Sequence, residues 1–185
     1  MAYHHGDLRD VLLRAAADVV AADGPEAVTL RGLARQAGVS HAAPAHHFRD
    51  RRGLLTALAA EGFRRLTEAL RAAPTFLEAA VAYVEFAAGP GRGYYAVMFD
   101  ATRIDVGDPA LEEARSEADR VLAAGVASVA ARSPDAPLAA LALVHGLVAL
   151  YEVGALERRY AGQDPAVLTR RIAQVLFTDP GASGE

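Results

Sequence analysis

The chain has no cysteine, no tryptophan and no lysine. Without cysteine, disulfides and thiolate sites, catalytic or metal-binding, are excluded. Without lysine, all nineteen basic residues are arginine, a bias that coding composition accounts for. No apolar run reaches eighteen residues before a Gly, a His or a charge interrupts it, so no membrane span is expected. The opening MAYHHGDLRD lacks the apolar core of a secretory signal and carries acids early, and a cytoplasmic location is expected. Enzyme motifs are also missing. There is no Gly-x-Ser-x-Gly, no phosphate-cradling glycine loop and no His-Glu-x-x-His. GPGRG at 89–93 has the glycines but neither a preceding strand nor the required spacing. No catalytic residue, cofactor or metal is expected.

What remains is apolar and helical in pattern. Of 185 residues, 52% are hydrophobic, enough to build a core in one large domain or two small ones. The net charge of −4 argues against a nucleic-acid binder, but its distribution does not. Residues 1–52 hold seven Arg against six acids and five of the six His, whereas residues 53–185 hold twelve Arg against seventeen acids. A His-rich, near-neutral head on an acidic body is compatible with nucleic-acid contact at one end.

Spacing of three and four predicts an all-helical chain. Leu8, Val11, Leu12, Ala15 and Val19 give a first helix over 7–22, stopped by Gly24 and Pro25. Thr29 stands at an N-cap position before a short helix of Leu30, Leu33, Ala34 and Ala37. Gly38 can take the left-handed turn, and Ser40 is expected to cap a third helix over 41–48. Asp50 should cap a long fourth helix with Leu54, Leu55, Leu58, Gly62, Leu66 and Leu70 in a stripe to about Ala72. Pro74 should open the next helix. YYAVMF at 94–99 reads as a helical turn or two, since no other segment offers a strand partner. Asp108 and Pro109 start a further helix, RSPDAP at 132–137 is a loop, 137–154 is apolar almost all round, and 164–177 is a last helix. The terminal DPGASGE is expected to be disordered.

Helix, glycine turn, helix over 29–48 is the helix-turn-helix arrangement. The first helix buttresses, and the second protrudes so that its leading side chains can meet base edges in the major groove. Val39 closes the core beneath the turn. Ala42 and Ala43 are small enough for close approach, and Ser40 with the helix start suits a phosphate. Pro44 is tolerated near the first turn. His41 and His46 should face the groove or the backbone, and His47 should pack or face a phosphate. His46 and His47 are adjacent, diverge by about 100° on a helix, and do not make a chelating pair. Arg49, Arg51 and Arg52 oppose the dipole of the fourth helix, which points to phosphate contact, from Arg51 above all; Arg31 is a similar candidate.

The stretch VTLRGLARQAGVSHAAPAHHFRDRRGLLTALAAEGF resembles the DNA-binding region of tetracycline-repressor-like (TetR) transcriptional regulators. Thr29, Leu33, Ala34, Ala37, Gly38, Val39, Ser40, His47, Phe48 and Leu54–Leu55 stand at that family's spacing. YHHGDLR, SHAAP, YYAVMF and VHGL at 144–147 are similar to one subgroup with a C-terminal "MF…HG" pattern. Ala45 replaces a usual Tyr that touches a phosphate, and His46 a frequent Arg. Arg51 keeps the charge of a usual Lys, Arg52 replaces an acid, and Leu141 stands for a Trp.

The resemblance implies an all-α chain in which residues 1–50 bind double-stranded operator DNA and residues 51–185 bind a small-molecule effector and dimerise. The implied function is that of a ligand-responsive regulator, a repressor released from its operator by the effector. Tyr94, Tyr95, Met98, Phe99, His145 and Tyr151 are candidates to line the effector pocket, although such residues more often fill a core. Independently, a helix apolar on two sides can bury only one against its own chain, so 137–154 calls for a second copy, with 164–177 as its companion. Leu143, Leu147, Leu150, Ile172, Val175 and Leu176 are expected at that interface, and His145, Leu138, Leu141 and Val148 on the inner side. The competing reading is a helical small-molecule-binding or enzymatic domain whose helix-turn-helix is only structural.

Overall fold

The computed structural model describes residues 5–129 and 134–177, and the DPGASGE terminus lies outside them. Among the described residues every regular element is helical. The chain forms two compact units, residues 1–65 with 90–117 and residues 66–89 with 118–185. The first turns of the fourth helix and the segment around YYAVMF pack with the head.

The first unit begins with α1, His5–Asp23. A 3₁₀ turn, Pro25–Ala27, follows Gly24, whose φ of 82° only glycine holds without strain. Next come α2, Leu30–Gln36, α3, Ala43–Phe48, and α4, Arg51–Ala72, the last shared between the units. Thr29 caps α2 as its position predicts, its Oγ1 accepting from the Gly32 N–H at 3.0 Å. Asp50 likewise caps α4 by accepting from the Gly53 N–H at 2.8 Å. Gly38 takes φ 66° between α2 and α3. The expected Ser40 cap is corrected: α3 starts at Ala43, its N-cap is Ala42, and no side chain caps it. The Ser40 carbonyl instead closes a turn onto the Ala43 N–H, and Pro44 in the first turn sets where the helix starts. Leu12, Leu13, Val28, Leu33, Leu54, Leu55 and Leu58 are fully buried at the centre.

The chain returns to this unit with α6, Arg92–Met98, so YYAVMF is helical. Helix α6 lies along α1. The close approach requires Gly93, where a Cβ would overlap the Ala17 carbonyl oxygen. Segment 99–108 then runs across the head, and Ile104 is fully buried. α7, Pro109–Val129, starts under a cap in which Asp108 accepts from the Leu111 N–H at 2.9 Å.

The second unit contains the end of α4, α5 (Phe76–Ala88), the later part of α7, α8 (Ala136–Glu152), the short α9 (Glu157–Tyr160) and α10 (Pro165–Phe177). Thr75, rather than Pro74, opens α5 by accepting from the Glu78 N–H at 3.1 Å. Helix α5 packs along α10 and α8. Glu78 and Arg170 pair through two hydrogen bonds of 2.7 and 2.8 Å across α5 and α10. The guanidinium holds the Glu78 carboxyl below the usual carboxylate range. A smaller cluster of Val126, Ala136 and Ala140 closes over Phe76 and Leu122, with Gly125 leaving room for the Phe76 ring.

Candidate nucleic-acid interface

Helix α3 has six residues and two characters. Pro44 and Phe48 are buried, and they seat the helix on α1 and α2. Arg9 of α1 lies over the Phe48 ring, 5.8 Å from its centroid. On the other side His41, Ala42, Ala45, His46 and Arg49 are exposed. Within α3, Ala45 and His46 face away from the buried Pro44 and Phe48, as helical spacing requires, while His41 and Ala42 precede the helix and Arg49 follows it. His47 is half-buried with its ring 6.0 Å from that of Phe48, the packing alternative expected for it. Arg31, Gly38 and Ser40 are exposed beside the row, with Thr29 at the α2 cap, while Val39 and Ala43 are half-buried beneath it. The Val39 N–H donates to the Ala34 carbonyl at 3.0 Å, which fixes the turn.

The arginines after α3 divide differently from the expectation, which put Arg51 first among phosphate contacts and added Arg52. Arg51 is folded inward. Its Nε donates to the Val28 carbonyl at 3.2 Å, and its Nη2 to the Pro25 carbonyl at 2.7 Å and the Glu26 carboxylate at 2.9 Å. Arg52 donates to the Ile104 carbonyl at 2.5 Å. Both guanidinium groups therefore tie the start of α4 to neighbouring segments, the 3₁₀ turn in one case and segment 99–108 in the other. Arg103 extends the same clamp, pairing with Glu26 and with Asp100. Arg49 is the outward one, with a side chain 92% exposed.

The expected effector residues fall in both units. Tyr94 and Met98 are core residues of the first unit, packed on Gly62, where a Cβ would meet Met98 Sδ at 2.7 Å and Tyr94 Cβ at 2.9 Å. The missing Gly62 side chain makes the space they fill. Arg65 lies over the Tyr94 ring, and burial pushes the Tyr94 hydroxyl pKa up. Tyr95 and Phe99 meet edge to face at 5.5 Å, and Phe99 is 44% exposed. In the second unit the Tyr83 hydroxyl and His145 Nδ1 lie 2.8 Å apart. Burial pushes the His145 pKa below the ordinary histidine value. The Tyr151 hydroxyl is buried with no hydrogen-bond partner, and burial raises its pKa. Tyr83 was not among the sequence candidates, because a Tyr on an apolar helix face reads as core until its partner, 62 residues away, is seen.

On α8, Val148 is buried and Leu150 is 43% exposed, as expected, but two leucines change places. Leu147 is buried at 5% exposure and Leu138 is 68% exposed, the reverse of the expectation. The outward face carries Leu138, Leu150 and Val153, and that of α10 carries Val167 and Val175. Leu143 and Ile172 are half-buried, and the Leu176 side chain lies outside the described set. Among the described residues no helix is long and apolar enough to cross a membrane.

Residues 12–58 match the family model described as bacterial regulatory proteins, tetR family. No curated protein matches the chain. Among solved structures, a Rhodococcus sp. RHA1 protein of unknown function is 36% identical, with 96% of each chain covered and a TM-score of 0.74. A bacterial regulatory protein of the tetR family from Rhodococcus RHA1 is 22% identical over 92% of this chain and 95% of its own, with a TM-score of 0.62. AibR, solved in complex with isovaleryl coenzyme A and operator DNA, is 13% identical over 92% of this chain and 98% of its own, also with a TM-score of 0.62. These last two likenesses show the fold.

Proposed function

We infer that the chain, whose residues 12–58 match the model of bacterial regulatory proteins, tetR family, is a ligand-responsive, sequence-specific DNA-binding transcription regulator, a repressor released from its operator by a small molecule. The observation that carries the reading is the exposed row of α3. A six-residue helix is held by Pro44 and Phe48 while His41, Ala42, Ala45 and His46 are left free on one side. Small residues let the helix approach a groove, and the two imidazoles can donate to or accept from base edges. AibR, of similar fold, is found in complex with isovaleryl coenzyme A and operator DNA, which supports both kinds of partner in this reading. In this reading residues 1–50 supply the DNA contacts and the remainder serves the effector and a second subunit, in a cytoplasmic protein with a regulatory rather than catalytic role. Met98–Phe99 at the end of α6 and His145–Gly146 on α8 support the "MF…HG" subgroup.

His145 and Tyr151 are the effector contacts proposed within the second unit, since they are, before the terminal Glu152, the polar groups of a largely apolar helix. The second copy docks on the outward faces of α8 and α10, through Leu138, Leu150, Val153, Val167 and Val175. Four large apolar side chains on the two helices, with Val153 just past α8, are exposed and available to a twofold interface. Two heads held about 34 Å apart then read two half-sites. Sequencing of the duplexes retained by the purified protein from a randomised pool tests the function. An inverted repeat should emerge. Recovery of unselected sequence would turn the reading toward a helical domain whose helix-turn-helix is structural.

A further inference from the structure

At the junction of α3 and α4 the backbone makes a turn that an arginine does not readily hold. Arg49 has φ 62° and ψ −60°, the one positive φ at a non-glycine among the described residues. The Asp50 N–H donates to the Phe48 carbonyl at 2.7 Å across it. Together these define a γ-turn centred on Arg49, a strained form that glycine would hold at lower cost. The chain has sixteen glycines and places one at each neighbouring turn, Gly24 and Gly38, but not here. Room for the turn comes from Gly53, where a Cβ would overlap the Phe48 carbonyl oxygen.

The turn has one evident product. It ends α3 abruptly, with the Arg49 N–H still donating to the Ala45 carbonyl at 2.9 Å, and leaves the Arg49 side chain 92% exposed. Its partner is the exposed Asp50 carboxylate, 3.3 Å from Nε, and Asp50 also serves as the α4 cap. A polyanion can displace a contact of that kind. Arg51 and Arg52, by contrast, are engaged by main-chain oxygens and Glu26, and Ala45 has no polar group to offer. Strain retained at a non-glycine position points to function when the side chain itself is what the turn presents.

We propose that Arg49 is the phosphodiester anchor of this head, and that the γ-turn exists to aim its guanidinium at the DNA backbone beside the groove that α3 enters. The assignment rests on the regulator reading. It puts Arg49 ahead of Arg51, which the dipole of the fourth helix had placed first among the backbone contacts.

The test is the salt dependence of binding to a mixed-sequence DNA duplex, with the full chain and four variants. Each phosphate neutralised adds about 0.9 to the slope of log affinity against log salt. Arg49→Gly, which suits the turn, and Arg49→Gln, which retains it, should both lower the slope by about one. Between 50 and 200 mM salt the wild type should then lose about 3.5-fold more affinity than either variant. Arg49→Lys should restore the slope, and Arg51→Ala should leave it unchanged. An unaltered slope in both neutral variants, with DNA still bound, overturns the assignment alone. So does a drop confined to Arg51→Ala. Absence of salt-dependent binding by the wild type overturns both this and the regulator reading.

Discussion

Arg51 on α4 and Glu26 in the 3₁₀ turn are joined across 2.9 Å, and the same guanidinium reaches the Pro25 and Val28 carbonyls. A side chain with that many internal partners holds the head together. Arg51→Ala should lower stability by about 1–3 kcal/mol, since it leaves two carbonyls without their charged donor. Thermal unfolding measures this directly. An unchanged midpoint would mean that the contacts are dispensable.

Gly93→Ala should be destabilising by about 1–3 kcal/mol, the ordinary cost of overpacking, because its methyl would overlap the Ala17 carbonyl and push α6 off α1. Denaturant midpoints decide it, with Gly146→Ala as the control. At Gly146 a Cβ meets nothing within 4 Å, and the gain in helix propensity should be neutral or stabilising.

Leu147→Glu and Leu150→Glu should behave oppositely. Leu147 is buried within its own unit, and a carboxylate there has no partner, at a cost of roughly 3–5 kcal/mol. Leu150 is 43% exposed on the face proposed to meet a second copy. Circular dichroism should show the first variant losing helix or thermal stability. Light scattering should show the second dissociating with its helices intact. A folded Leu147→Glu protein of unaltered mass would place that residue on neither surface.

The Tyr83–His145 pair predicts an acid sensitivity. In the folded chain the His145 pKa lies below its ordinary value because burial disfavours the imidazolium. The unfolded chain therefore takes up the proton first as pH falls. The stability contribution is fully present above about pH 6.5 and is lost as pH drops toward the folded pKa. His145→Asn should flatten the pH dependence of unfolding below neutrality relative to the wild type. Parallel curves would show that other groups govern it.

The local signals were legible, and the distant partners were not. Thr29, Gly38 and Asp50 act on atoms one to three residues away, so their roles could be read from position alone. The Ser40 cap failed for a local reason as well, because Pro44 starts α3 at Ala43. The internal partners of Arg51 could not be read in advance, because they lie 23 to 26 residues back and only folding brings them to its guanidinium. Helix α8 was misread because apolar residues surround it. With no polar face to set its rotation, nothing before folding distinguishes Leu138 from Leu147. The aromatic segment at 94–99 was correctly seen as helical, but the hollow at Gly62 that receives Tyr94 and Met98 lies on another helix.

The return of α6 to the head bears on the order in which the chain can complete itself during synthesis. The first fifty residues contain α1, α2 and α3, yet the groove of α1 that Gly93 fills stays uncovered until α6 has been made. At ordinary elongation rates the roughly 40 intervening residues impose a wait of about 2–8 s. Ile104, which the Arg52 clamp holds through its carbonyl, comes later still. A nascent head is therefore a set of helices with an open apolar seam. It reaches its finished form only when a segment from the middle of the chain closes that seam.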